Sequence, residues 1–268
     1  MSQAAGIPAP SVRAAGLCSA WGAGVAAVPA DARAAAAGRS LLGLGRPALQ
    51  GERFRRATRE CLWALAAVEA MLEDGRAERG AIAGDRTALL FVSAAVYGAS
   101  NRAFIEGTGG GTHFAYTAPA VIPAEAAIEY RLRGPSVLLI GGPPAALRAM
   151  WYAATLLAAR ACDRALVLGV ETFEECADLY ARARRRTAPP LVEAAACLWL
   201  EPGDGRLVLR SGRGRSRPDG ARRLGDMLAV GPLAEVALRR HEGHPDPLGL
   251  TGAWRGEVAN LIITKGAG

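Results

Sequence analysis

Three short apolar runs stand out along the chain: TALLFVSAA (87–95), SVLLIGG (136–142) and RALVLGVE (164–171). None alternates apolar with polar residues, so each reads as a strand buried on both faces. Between them the pattern changes to a helical period. In ERFRRATRECLWALAAVEAMLE (52–73), Phe54, Ala57, Cys61, Leu65, Val68 and Leu72 recur at helical spacing, and Asp74-Gly75 closes the helix. AVIPAEAAIEYRL (120–132) predicts a helix that stops before Gly134-Pro135, and PAALRAMWYAATLLAARAC (144–162) predicts another with proline in its first turn. FEECADLYARARRR (173–186) also reads as helix.

The flanks complete the pattern. SVRAAGL (11–17) predicts a first strand, and residues 26–50, rich in Ala, Gly and Pro without a period, predict mostly loop. AAACLWLE (194–201) and GRLVLRSGRG (205–214) predict a hairpin turning at PGDG. A short helix is expected within 224–243 and a closing strand at 257–265. Buried strands alternating with helices predict an α/β fold with a mostly parallel sheet covered on both faces.

Composition narrows the class. The 268 residues suit one large domain or two fused halves, and 51% hydrophobic residues with 33 glycines describe an ordered globular chain. The net charge is +7, nearly all of it arginine, since Lys265 is the only lysine. Two clusters are dense, ARARRR (181–186) and RSGRGRSRPDGARR (210–223). They are read as a solvated face, a docking surface for an acidic protein, or a nucleic-acid contact; the last lacks interleaved aromatics and a recognisable module. Cys18, Cys61, Cys162, Cys176 and Cys197 are scattered without a CxxC pair, so core thiols in a reducing, cytoplasmic setting are expected. The N-terminal segment has no basic stretch followed by an apolar one, and no run is long enough to span a bilayer, so neither a secretory signal nor a membrane span is expected.

Candidate chemistry is sparse. GTGGGT (107–112) lacks the Lys-Ser/Thr of a phosphate loop and the spacing of a dinucleotide loop, so it reads as a flexible loop and no cofactor is expected. His241 and His244, followed by Pro-Asp-Pro, have no third ligand nearby, so no metal site is expected. The third histidine, His113, lies beside the glycine loop. The turn GGPPAALRAMWYAA (141–154) has the strand-to-helix form that displays nucleophiles elsewhere, yet contains no Ser, Thr, Cys, His, Asp or Glu.

The order of these pieces resembles the β-ketoacyl synthases, the thiolase-fold condensing enzymes. The resemblance runs through VRAAGLCSAWGAG (12–24), RRATRECLWALAAVEAMLEDG (55–75), RTALLFVSAAVYG (86–98), LRGPS (132–136), LLAARACDRALVLGVETF (156–173) and AACLWLE (195–201). LRGPS is the most specific, because in the family it introduces the strand that carries the active cysteine. GDMLAVGPLAEVALRR (225–240) and EVANLIITK match more loosely. The resemblance implies a layered αβαβα thiolase-like fold, with residues 1–201 as the N-terminal half and 202–268 as a shortened second half.

It also implies what is missing. The family's cysteine falls nine residues after the Gly of GPS, which here is Pro143, a residue with neither thiol nor backbone N–H. One family histidine aligns with Asp226, the other has no counterpart, and the family's GFGG signature is absent. The expected role is therefore a non-catalytic partner of the chain-length-factor type, as in polyketide and aryl polyene pathways, paired with an active ketosynthase and served by an acidic acyl carrier protein. By resemblance the pairing edge is Ser136, Val137, Leu138, Leu139 and Ile140, and Phe114 and Tyr116 belong to the loop that reaches the partner's pocket. The alternative is an acyl transferase or decarboxylase with relocated chemistry at Cys18, Cys176 or His113.

Overall fold

The computed structural model describes residues 6–47, 57–108, 118–183, 188–214, 221–243 and 248–264. The expected central strands are present as β4 (Thr87–Ser93), β5 (Ser136–Ile140) and β6 (Arg164–Glu171). β4 pairs in parallel with both β5 and β6, so the βαβ crossovers lie where the helical periods predicted them. β1 (Ile7–Ser19), its short neighbour β2 (Gly22–Ala23) and β8 (Ala194–Arg213) extend the sheet in the order β2-β1-β8-β6-β4-β5. The expectation of a mostly parallel sheet is corrected here. β6–β8, β1–β8 and β1–β2 are all antiparallel.

Helix α2 (Arg59–Asp74) and α4 (Val121–Glu129) cover one face. Thr58 caps α2 by accepting the Cys61 N–H, and Cys61, Leu62, Leu65, Val68 and Met71 are buried against Phe91, Leu166 and Leu168. The other face carries α5 (Pro143–Ala158) and α8 (Gly231–His241). The buried residues of α5 include Ala145, Ala146, Ala149, Ala153 and Ala154, whose small side chains let the helix approach the sheet closely. Segment 26–50, expected as loop, contains α1 (Ala32–Ala36), capped by Asp31, and β3 (Leu41–Leu42), which pairs with β7 (Leu191–Val192). Two further short helices are α3 (Gly98–Ile105) and, after a 3-10 turn, α6 (Ala177–Ala183). A single turn, α7 (Ala221–Leu224), precedes α8.

Two more strand expectations are corrected. PGDG does not turn the chain: residues 194–213 form one strand of 20 residues. The segment is absorbed as an irregularity in the pairing, where Ser11 faces Glu201 but Ala9 faces Gly205. Glycine is required there, since a Cβ on Gly203 would lie 2.7 Å from the Ala9 carbonyl oxygen and one on Gly205 2.8 Å from that of Thr264. The far half of β8 then pairs with β10 (Glu257–Thr264), which pairs with β9 (Leu248–Trp254), a strand the sequence pattern did not single out. This extension also packs on α5, so the helix is covered by strands beyond the central sheet.

The second correction concerns β5, which is not buried. It is the end strand of the sheet, with Ser136, Leu138 and Ile140 exposed and Val137 and Leu139 turned toward the core.

Candidate functional site

β5 runs into the turn Gly141-Gly142 and then directly into α5. The Gly141 N–H donates to the Ser93 carbonyl (2.9 Å), which pins the turn to the end of β4. Pro143 and Pro144 are the first two residues of α5, both buried, and neither has an N–H. The third, Ala145, donates its N–H to the Gly142 carbonyl (2.9 Å). The first turn of α5 therefore offers no donor from these three residues to an oxyanion.

The turn is also covered. A Cβ on Gly142 would lie 2.4 Å from the ring of Trp254, and a Cβ on Gly252 would lie 2.7 Å from the carbonyl carbon of Pro143. β9 thus rests directly on the Gly142-Pro143 turn, whose proline the resemblance aligns with the family's nucleophile. A cleft of about 250 Å³ remains beside it, lined among others by Ala94, Ile140, Gly141, Gly142 and Trp254. Arg148 and Glu257 form an ion pair at its rim, and Arg255 stacks over Trp254 at 5.5 Å.

The polar groups near this turn are structural. Glu171, at the end of β6, is fully buried and accepts from the N–H groups of Ala94 (2.6 Å), Ala95 (2.9 Å) and Ala229 (3.2 Å) and from the Ser93 hydroxyl (3.3 Å). Burial pushes its carboxyl up to about 8, opposed by those four hydrogen bonds. Asp226 lies in the turn that leads to Ala229. Its N–H donates to the Pro190 carbonyl, its carbonyl accepts from Val192, and Oδ1 accepts the Leu228 N–H at 3.2 Å. Leu228 there is left-handed (φ 47°) and buried. The Asp226 contacts are those of a turn former rather than a general base.

A second buried carboxylate, Glu193, gathers five donors: the N–H groups of Leu44, Phe173 and Glu174 (each 2.6 Å) and both Nη atoms of Arg59 (2.5 and 3.1 Å). Arg59 also reaches Glu175 (2.7 Å) and the Leu44 carbonyl. Sequence reasoning gave Glu171, Glu193 and Arg59 no role. The available signal was a charged residue ending or interrupting an apolar run, as in RALVLGVE and LVEAAAC.

The other expected site residues are placed as follows. Among the described residues, Ser136–Ile140 form the end strand of the sheet. Phe114, Tyr116 and His113 lie outside the described residues, as does His244, while His241 ends α8. All five cysteines are free and buried. Burial raises the thiols of Cys18 and Cys61 to about 11 and those of Cys162, Cys176 and Cys197 upward as well. Such thiols are poor nucleophiles, which weighs against relocated chemistry at Cys18 or Cys176. Among the described residues no group of three His, Cys, Asp or Glu is placed to hold a metal ion, and no helix is long and apolar enough to cross a membrane.

The strand-to-helix turn thus sits at the edge of a mixed sheet and leads into a buried alanine-rich helix. The family model "Beta-ketoacyl synthase, N-terminal domain" matches residues 47–193, more than half of the chain, and the protein belongs to the β-ketoacyl synthase family. No curated protein matches it. Among solved structures, the ishigamide ketosynthase/chain length factor superposes with a TM-score of 0.75 at 14% identity, covering 97% of this chain and 100% of that one. A type II polyketide ketosynthase in complex with its acyl-carrier protein gives 0.73 at 13% identity, covering 97% and 99%. A ketosynthase in complex with its chain length factor from Xenorhabdus doucetiae gives 0.57 at 15% identity, covering 82% and 83%.

Proposed function

We propose that this chain is a non-catalytic ketosynthase-like subunit that pairs with an active β-ketoacyl synthase and shapes the pocket in which carrier-bound acyl chains are extended. The observation that carries the reading is Pro143, at the family's nucleophile position, without thiol or N–H and packed beneath Gly252. The edge strand supports the pairing. SVLLI has no charge and no proline to guard its unpaired hydrogen-bonding side, and Leu138 and Ile140 are 37% and 47% exposed. An apolar, unguarded edge of this kind persists in a soluble protein when another strand covers it. Tyr152, also exposed, lies on α5 two turns beyond the bare N-terminus. The segment carrying Phe114 and Tyr116, which follows α3 in sequence, is the part proposed to set the depth of the partner's pocket by bulk. Pathways of polyketide or aryl polyene type supply the setting.

The test is co-expression with an intact ketosynthase from the same gene neighbourhood, followed by size-exclusion chromatography. A one-to-one complex with condensing activity is expected. Leu138→Asp with Ile140→Asp should abolish the complex while leaving this chain folded, because both side chains point away from the core. A stable monomer that never co-purifies with any such ketosynthase overturns the reading.

A further inference from the structure

Away from the turn after β5, a second cleft of about 550 Å³ lies between the end of α1, the β3–β7 pair and the start of α6. Its floor is apolar. Leu41 and Leu191 come from the paired strands, and the buried Ala36 and Pro190 and the half-buried Tyr180 close it. The floor is also fixed in place. Leu191 donates its N–H to the Ser40 carbonyl (2.9 Å), the Pro190 carbonyl accepts from Asp226 (2.8 Å), and the Tyr180 ring packs on Phe173 at 5.3 Å. The polar groups gather at the mouth, and one of them is pre-set. Ala37 (φ 49°) and Gly38 (φ 84°) are successive left-handed residues that end α1 and turn the chain back on it. Arg39 then donates both its backbone N–H and its Nε–H to the Ala36 carbonyl (3.0 Å each). With Nε engaged, the two Nη groups are the open edge of the guanidinium, and among the described residues no carboxylate lies within ion-pair distance of them. The adjacent Ser40 hydroxyl also has no hydrogen-bond partner among the described residues. Arg33, in the last turn of α1, adds positive charge at the mouth. Asp178, the one acid among the described lining residues, is held by Arg102 (2.5 Å) and does not compete for Arg39.

We infer that this cleft binds a small organic monocarboxylate with an aliphatic or aromatic body. The two Nη groups of Arg39 match the two oxygens of one carboxylate in the bidentate arrangement. The Ser40 hydroxyl is available to donate a further hydrogen bond. The floor takes the body, because a ligand that covers it removes apolar area from water on both sides, and the volume suits a small molecule. Asp178 sets the charge of the ligand. It remains in the lining as a fixed negative charge, which repels a phosphate dianion more strongly than a monoanion. The cleft shares no lining residue with the one beside Gly142, so the inference stands independently of the role proposed above.

The experiment titrates octanoate and trans-cinnamate into the full 268-residue chain by calorimetry. Both acids should bind saturably. Octylamine and cinnamamide, which lack the anion, and acetate, which lacks the body, should not. Phenyl phosphate, with a body and a second negative charge, should bind more weakly than cinnamate. Arg39→Ala and, separately, Ser40→Trp, which puts bulk into the cleft from an exposed position, should each weaken acid binding by about tenfold or more. Arg39→Lys keeps the charge without the fork, so its binding should fall between that of the unmodified chain and that of Arg39→Ala. Arg148→Ala, at the rim of the cleft beside Gly142, should change binding less than about twofold. Circular dichroism of the Arg39 and Ser40 variants should match that of the unmodified chain, since both positions are exposed. The inference is overturned by the absence of saturable binding of either acid, by equal binding of cinnamamide, or by tighter binding of phenyl phosphate. It is also overturned if Arg39→Ala and Ser40→Trp leave acid binding intact, or if Arg148→Ala alone removes it, which would place the acid beside the turn after β5.

Discussion

Two neighbouring strands of the central sheet end in opposite ways. β5 ends in Gly-Gly-Pro-Pro, where no side chain can transfer a proton or attack a carbonyl. β6 ends at Glu171, a fully buried carboxylate with four donors, and Glu193 lies a short way on with five. Polar side chains are missing at the turn after β5, while buried carboxyl groups are kept where they tie loops to the sheet. The difference teaches that the turn after β5 can be emptied at little structural cost. The carboxylates near β6 cannot, because several backbone N–H groups have no other acceptor.

The sharpest way to break this contrast is Glu193→Ala. Removing it strands three backbone N–H groups and deprives the largely buried Arg59 of its main partner, so a loss of about 3–5 kcal/mol is expected in urea unfolding. A loss below about 1 kcal/mol would place Glu193 with ordinary surface acids.

Glu171 sharpens the contrast through pH. Its folded-state carboxyl is raised from 4.5 to about 8, so between those values the folded state holds a proton that the unfolded state has released. Stability from this group is therefore greatest at the acid end of the window and falls as pH rises. Unfolding at pH 5 and at pH 8 should differ by on the order of 2–3 kcal/mol more in the wild type than in Glu171→Gln. Parallel pH profiles for the two proteins would show that Glu171 does not titrate in this range.

The sequence made the parallel core legible because each of β4, β5 and β6 is a bounded apolar run and each neighbouring helix keeps its period. It also made the bare turn legible, since GGPPAALRAMWYAA contains no Ser, Thr, Cys, His, Asp or Glu. The extension was not legible. PGDG carries the residues of a tight turn, and only the positions of β1 and β10, distant in sequence, make it a strand irregularity with glycines at the close approaches. β5 misled for a related reason: SVLLI is a continuous apolar run like TALLFVS of β4, and whether such a run is central or at the edge depends on which strands pair with it. Glu171 left only the signal of an acid ending an apolar run, because three of its four donors are backbone N–H groups, which leave no trace in side-chain spacing.

The cover over the emptied turn gives a smaller effect. Gly252→Ala drives a methyl into the backbone of Pro143, where nothing flexible can yield, so a cost of about 1–3 kcal/mol is expected by thermal or urea unfolding. Gly142→Ala meets the ring of Trp254, which is partly exposed and can shift, so it should cost less, and Trp254→Ala in the same chain should relieve it. Equal costs in the two single variants would mean that β9 does not lie on the turn as closely as its glycines indicate.

The smallest effect on stability, and the most informative about function, is Pro143→Cys. The substitution introduces a thiol and an N–H at the position the resemblance aligns with the family's nucleophile, and the stability change should stay within about 1 kcal/mol because the first helical turn tolerates both residues. All five native cysteines are buried with raised thiol pKa values, so iodoacetamide labelling of the folded protein starts from a near-zero background in mass spectrometry. The new thiol should also stay unlabelled, because Gly252 and Trp254 cover the turn and Pro144 still denies the next position an N–H. Adding Trp254→Ala should open the site and allow labelling without creating condensing activity, since among the described residues no histidine is brought to it. Rapid labelling of the single variant, or acylation by an acyl thioester, would mean that the bare turn still opens to substrate and that the loss of chemistry rests on Pro143 alone.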